Sequence, residues 1–313
     1  MTGAKAPPPS RHPGEREPSA QAVPTELVTR LLASSVPELA SQGVTMRYEY
    51  ADDHVTVRLG EAHGASFPTV NRSPSFDPIS MAYLRTAAQA WAFEAQVPLT
   101  VGEPEFGYRF RYSIFEWIPG SNALRSPLTV ESARRLGAAL AVVHQSAPID
   151  APEHPHVQVP LTWQSQAVYH LIGRVEARLS PGGRALDGHA AREAWDAGLD
   201  FPHSRDQTWV HGALDPRVIL SDGGRFVGLS HWRELSRADP ALDLTLAATA
   251  LNSVGLTAML DAYGPVAQPS TSLRIRAGVV ARALNFVLAP NPALARLGWS
   301  RLSEHGCLEV AGQ

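Results

Sequence analysis

Leu27, Leu31, Leu32, Val36 and Leu39 fall on one helical face behind Pro24-Thr25, a start signal, so the first regular element is expected to be a helix. Alternation then takes over. Residues 45–50 and 54–59 switch between apolar and polar around Ala51-Asp52-Asp53, the pattern of a hairpin. Residues 60–78 are rich in Gly, Pro, Ser and Asn and are expected to be loop. Ala, Leu, Gln and aromatics over 79–93 predict a helix, and a proline-punctuated strand region then runs into 108–117 and stops at Pro119-Gly120.

Beyond that point the period lengthens. Thr129 is placed to cap a helix carrying Val130, Ala133, Leu136, Leu140 and Val143 on one face. A second helix shows Val168, Leu171, Ile172, Val175 and Leu179 before Ser180-Pro181-Gly182-Gly183 ends it, and a third spans about 185–199. A small β element follows: 208–210, then 218–221 and 226–230 about a turn at Asp222-Gly223-Gly224. From Ala241 the chain is helical again, broken at Tyr263-Gly264-Pro265 and at 289–292. The order predicts an α+β protein of two lobes, a small β-rich one at 24–118 and a larger helical one at 119–313. Residues 1–23, with Pro7-Pro8-Pro9 and no apolar h-region, read as a disordered tail.

Composition narrows the classes. A formal net charge of -3 leaves no basic footprint for nucleic acid or an anionic membrane. No apolar run approaches the ~20 residues of a membrane span. The single cysteine, Cys307, excludes an internal disulfide framework and fits a reducing compartment, so a soluble cytoplasmic protein is expected.

The chemistry concentrates in one stretch. Trp209-Val210-His211-Gly212-Ala213-Leu214-Asp215-Pro216-Arg217-Val218-Ile219-Leu220 leads into the predicted hairpin, which ends at His231-Trp232. Ala238-Asp239-Pro240-Ala241-Leu242-Asp243-Leu244 follows. Order and spacing resemble the signature of the aminoglycoside phosphotransferase family, His-Gly-Asp-Leu-His-Pro-x-Asn, a hairpin ending Ile-Asp-Trp, then Gly-Asp-Pro-x-x-Asp-Leu. The resemblance implies a protein-kinase-like bilobal fold with a catalytic loop at 209–220 and a metal-site hairpin at 218–232. It also implies ATP or GTP with magnesium as cofactors and a small hydroxyl-bearing acceptor. More weakly, Val57-Arg58-Leu59 looks like the strand with the basic phosphate contact, and Phe115-Glu116-Trp117-Ile118 like the nucleotide-binding hinge.

The chemical slots of that signature are changed. Ala213 stands where the family has its acceptor-side aspartate, and Val218 and His231 where it has metal ligands. A methyl or isopropyl group neither accepts a proton nor binds a hard cation, and magnesium prefers oxygen to an imidazole. What is retained has scaffold roles: His211 and Gly212 shape the loop, Pro216 fixes its turn, Trp232 packs beneath the hairpin, and Asp239 and Asp243 tie amides at the next helix start. Two readings follow. In the first the protein is a pseudokinase, a binding or regulatory module that needs no cofactor and holds a small molecule in the cleft. In the second it is an atypical active phosphotransferase for an antibiotic or another hydroxyl acceptor, using ATP or GTP with magnesium and a displaced acid such as Asp215.

Overall fold

The computed structural model describes residues 21–50, 54–70, 76–155, 161–199, 207–264 and 269–309. Part of the stretch expected to be tail is packed: Val23 is buried, and the Gln21 amide donates to the Thr69 carbonyl at 2.8 Å. Helix α1 (Thr25–Ser35) buries Val28, Leu31 and Leu32, and Pro37 starts a one-turn α2 (Pro37–Ala40). Strands β1 (Val44–Tyr50) and β2 (His54–Leu59) pair antiparallel as the alternation predicts, in register from Tyr50 opposite His54 to Met46 opposite Arg58, with a shift before Val44 opposite Leu59. The expected turn at 51–53 lies outside the described residues.

Residues 60–78 are not all loop, because β3 (His63–Pro68) runs through the middle of the sheet, paired with β2 on one side. Gly, Ala and Ser are poor strand formers alone, but here their smallness is required. A Cβ at Gly64 would sit 2.6 Å from the Phe115 ring. Helix α3 (Pro78–Ala87) is capped by Asp77, which accepts from the Ile79 and Ser80 amides at 2.9 and 3.2 Å. It is shorter than the 79–93 pattern predicts. After one 3-10 turn, Trp91 and Phe93 leave the helix and stack at 5.0 Å, with Trp91 also 5.2 Å from Trp232. Aromatic burial outside the helix outweighs continuing it.

β4 (Glu94–Ala95), β5 (Pro98–Gly102), β6 (Tyr112–Glu116) and β7 (Ser121–Asn122) follow. The strand predicted at 108–117 starts late, because Tyr108 sits in a turn with its hydroxyl donating to the Pro68 carbonyl at 2.7 Å. The small-lobe sheet has the order β1-β2-β3-β6-β5, and α1 packs on it around Leu31, Val57, Phe67 and Ile114.

The helical lobe holds α4 (Val130–Val143), α5 (Leu161–Glu176), α6 (Gly188–Asp196), β8 (Thr208–Val210), β9 (Ile219–Asp222), β10 (Arg225–Leu229) and β11 (Ser236–Ala238). It closes with α7 (Ala241–Ala248), α8 (Ser253–Tyr263), α9 (Pro269–Leu288) and α10 (Pro292–Glu304). The predicted caps and breaks recur: Thr129 accepts from the Ser132 amide at 3.2 Å, and Asn291 caps α10. β11 is an element the pattern does not announce, and it pairs with β8 rather than with the hairpin. The hairpin β9–β10 instead joins strands from before it in a sheet ordered β4-β10-β9-β7. The stretch 24–118 is therefore divided between two cores. Its sheet packs with α1, whereas Phe76, Met81 and Leu84 share the core of Leu136, Trp209 and Trp232. No helix among the described residues is long and apolar enough to cross a membrane.

Helices α4 and α8 meet at Gly137, where an added Cβ would lie 2.1 Å from the Met259 carbonyl oxygen. Gly137→Ala is expected to force the pair apart and lower stability by ~1–3 kcal/mol. At the exposed helical Gly173, where an added Cβ meets nothing within 4 Å, the same change should raise it by ~0.5–1 kcal/mol. Urea denaturation of the two variants reads both signs.

Candidate functional site

The loop between β8 and β9 is built around one carboxylate. Asp243, fully buried on α7, accepts from the His211 amide at 2.6 Å, the Gly212 amide at 3.0 Å and His144 Nε2 at 3.2 Å. Burial alone would raise its carboxyl, but the hydrogen bonds from His144 and the Gly212 amide outweigh that and hold it below the usual carboxylate range. On the far side of His144, Nδ1 lies 2.9 Å from the Tyr263 hydroxyl. Burial and the charge of Asp243 push that hydroxyl up to about 12, so it keeps its proton. Asp243 thus ties the amides of the motif loop, whereas the sequence predicts that it ties those at the start of the next helix. Asp239 does serve that helix, accepting from the Ala241 amide at 2.8 Å while pairing with Arg274 at 2.6 Å.

His211 is buried, with Nε2 donating to the Ser230 carbonyl at 2.8 Å and Nδ1 accepting the Ala213 amide at 3.3 Å. Desolvation lowers its pKa, which fits a neutral ring engaged as donor and acceptor at once. Gly212 has φ 84°, and a Cβ there would stand 2.6 Å from the Glu234 carbonyl and 3.0 Å from the His154 ring. Only glycine fits that turn. Trp232 donates from Nε1 to the Leu229 carbonyl at 3.0 Å and lies between His211 and Trp91.

The slots look different from the scaffold. Ala213 presents a methyl group, and Val218 is buried in the core of the helical lobe. Asp215 lies under Arg217: it accepts from that residue's amide at 2.7 Å and from Nε at 2.9 Å, with Nη2 also in contact. Both carboxylate oxygens are thus engaged by the guanidinium. Pro216 offers its carbonyl to the Leu124 amide at 3.0 Å, joining the loop to the segment after the hinge.

His231 bridges the lobes. Its Nδ1 is 2.8 Å from the Ser230 hydroxyl, its Nε2 is 3.3 Å from the Thr56 hydroxyl on β2, and its ring is 4.5 Å from that of His54. It adopts φ 63°, a left-handed conformation uncommon for a residue with a side chain.

Beside it opens a cleft of about 530 Å³, within the range of small-molecule sites. Of the hinge residues, Trp117 and Ile118 line it, Glu116 is exposed, and Phe115 is buried against Gly64. The Trp117 amide is already donated to the Ala62 carbonyl at 2.8 Å. Arg58 does not line the cleft; it donates to the Glu61 carbonyl at 2.8 Å with its guanidinium 5.5 Å over the Trp117 ring. The basic residues that do line it, Arg47, Arg125 and Arg217, were not anticipated. They come from three separate parts of the chain, and nothing local marks them.

Residues 213, 218 and 231 do not fit the magnesium ions that the resemblance implies, since they offer a methyl, an isopropyl and an imidazole in place of oxygen ligands. Nor do the described residues gather three or more His, Cys, Asp or Glu side chains around any point suited to a metal.

A family model, the phosphotransferase enzyme family, matches residues 53–271. Among solved structures, the GDP complex of wild-type aminoglycoside 2'-phosphotransferase-IIIa is similar at 14% identity and a TM-score of 0.57, covering 90% of this chain and 98% of that one. Spectinomycin phosphotransferase in complex with ADP and spectinomycin gives 0.57 at 13% identity over 91% and 94%. A type I macrolide 2'-phosphotransferase gives 0.50 at 18% identity over 88% and 97%. At these identities the likeness is one of fold: a β-sheet lobe and a helical lobe arranged as in these kinase-like enzymes. No curated protein matches the sequence.

Proposed function

Because this chain belongs to the phosphotransferase enzyme family, we propose that it keeps the family's two-lobed cleft as a small-molecule binding or regulatory module and does not transfer phosphoryl groups. The observation that carries the reading is the donor set at the three slots. Phosphoryl transfer depends on placing the acceptor and offsetting phosphate charge with metal. Ala213, Val218 and His231 supply neither a carboxylate base nor an oxygen ligand. The scaffold around those slots stays fully bonded, with Asp243, His211 and Trp232 all engaged. The rival base, Asp215, is occupied by Arg217. Related structures carry GDP, or ADP with spectinomycin, and on this reading a small molecule occupies the cleft here as well.

The test is phosphoryl transfer by the purified protein from ATP or GTP, with magnesium, to a panel of aminoglycoside, spectinomycin and macrolide acceptors. The native chain is expected to show none above background. The triple variant Ala213→Asp, Val218→Asn, His231→Asp is expected to gain it, the base alone being worth about 10²–10⁴-fold. Transfer by the native chain that Asp215→Ala abolishes overturns the proposal in favour of an atypical active enzyme.

A further inference from the structure

The slot that the family signature gives to a metal ligand is spent here on a contact between the two lobes. His231 closes the hairpin of the helical lobe, and its ring reaches β2 of the small-lobe sheet. Ser230 Oγ donates to the Val218 carbonyl at 3.1 Å, so toward His231 it is an acceptor and Nδ1, at 2.8 Å, carries the proton. Nε2 is then left to accept the Thr56 hydroxyl at 3.3 Å, closer than that hydroxyl's other partner, Ser66 Oγ at 3.5 Å. One tautomer satisfies the whole chain of hydrogen bonds, which runs from β2 to the residue before β9.

The His54 ring packs beside that of His231 at 4.5 Å, from the same strand as Thr56. Thr56, Ser230 and His54 are all buried, and hydrogen bonds sheltered from water hold more firmly than exposed ones. The backbone of His231 is left-handed, a conformation that persists in a residue with a side chain only where its surroundings hold it. The ring also stands between two cavities. His231 and Gln96 line both the cleft and an inner cavity of about 10 Å³, with space for about one water, whose other walls include Ser66, Ser113 and Trp232.

We infer that His231 is a releasable latch between the lobes. Engaged, it holds β2 against the end of the hairpin and separates the inner cavity from the cleft. Withdrawn, it joins the two cavities and frees the small-lobe sheet to shift. The shift is limited, because β4 and β7 still tie the link between lobes to the hairpin. A cleft occupant that takes up Nε2 displaces Thr56, so the latch responds to what the cleft holds. The inference goes beyond the loss of catalysis and does not rest on it.

Spin labels on the full chain test this, one at Glu38→Cys on α2 and one at Arg135→Cys on α4, both exposed. The native Cys307 is buried and stays unlabelled. The labelled parent is expected to give one narrow distribution of distances between the lobes. His231→Gly suits the left-handed backbone and removes the ring, so the distribution should become at least about twofold broader and extend to longer distances. Free imidazole, the size of the missing ring, should narrow it again by filling the vacated space. The double variant His54→Ala, Thr56→Val leaves the backbone at 231 untouched and should broaden the distribution in the same direction. It carries the test if melting curves show the glycine variant unfolded.

A distribution that keeps its parental width in the double variant overturns the inference. So does broadening in His231→Gly that imidazole does not reverse, since that is the added freedom of a glycine backbone and not the loss of a latch.

Discussion

Asp243→Ala should destabilise the protein by about 3–5 kcal/mol, enough to unfold much of it at 37 °C. Three donors lose their acceptor at once: the His211 amide, the Gly212 amide and His144 Nε2. The site is fully buried, so water does not replace the carboxylate without opening the core. Asp243→Asn keeps one acceptor and removes the charge, and its loss should be smaller. Chemical denaturation as a function of pH separates the two effects. The folded carboxyl lies below its ordinary value, so its stabilisation is complete above the unfolded pKa of about 3.9 and fades as pH falls through the folded value. That acid limb should be missing from Asp243→Asn. A second limb should survive in both proteins. His211 and His305 are depressed by burial, His305 to about 4, so the unfolded chain takes up protons that the folded one refuses as pH drops below about 6.5. If Asp243→Asn retains the wild-type profile below pH 4, the carboxylate is not the keystone of the motif loop.

Trp232→Ala carries the second large expectation, a loss of about 3–5 kcal/mol. The side chain is 1% exposed and lies between Trp91 from the first half of the chain and His211 from the motif loop. Its removal leaves a cavity that two surrounding rings cannot fill without moving the strand that follows Trp91. Trp232→Phe keeps a stacking surface but gives up the Nε1 hydrogen bond to the Leu229 carbonyl, so it should cost only about 1 kcal/mol. Comparable losses for the two substitutions, read from urea midpoints, would assign the role of Trp232 to that hydrogen bond and not to packing.

Local pattern made much of this molecule legible. The helical faces of α1 and α4, the Thr129 cap and the β1–β2 register follow from spacing and short-range hydrogen bonding, which a sequence displays directly. The 211–243 constellation was legible because its residues are close in sequence order and chemically distinctive. The partner that fixes it was only half visible: Asp243 stands out, but its grip on amides 31 and 32 positions earlier is a property of the folded loop. β3 escaped notice because Gly64, Ala65 and Ser66 have low strand preference, and only the neighbours β2 and β6 make a thin central strand favourable. The arginines of the cleft escaped for a different reason. Arg47, Arg125 and Arg217 are ordinary residues at unrelated positions, and only the fold brings them to one cavity.

The four-stranded sheet β4-β10-β9-β7 has a bearing on how far the cleft can open. β4 comes from the segment that follows α3, β7 from the link just past the hinge, and both are hydrogen-bonded to the hairpin that ends at His231. At Gly228 the approach to the Glu94 backbone leaves no room for a side chain. The link between lobes is therefore sewn to the floor of the cavity, and a wide opening about it would break strand pairing. A cleft constrained in this way is set in its receiving geometry before anything arrives, so capture costs little ordering, and differences in affinity among ligands should be expressed mainly in how long each one stays.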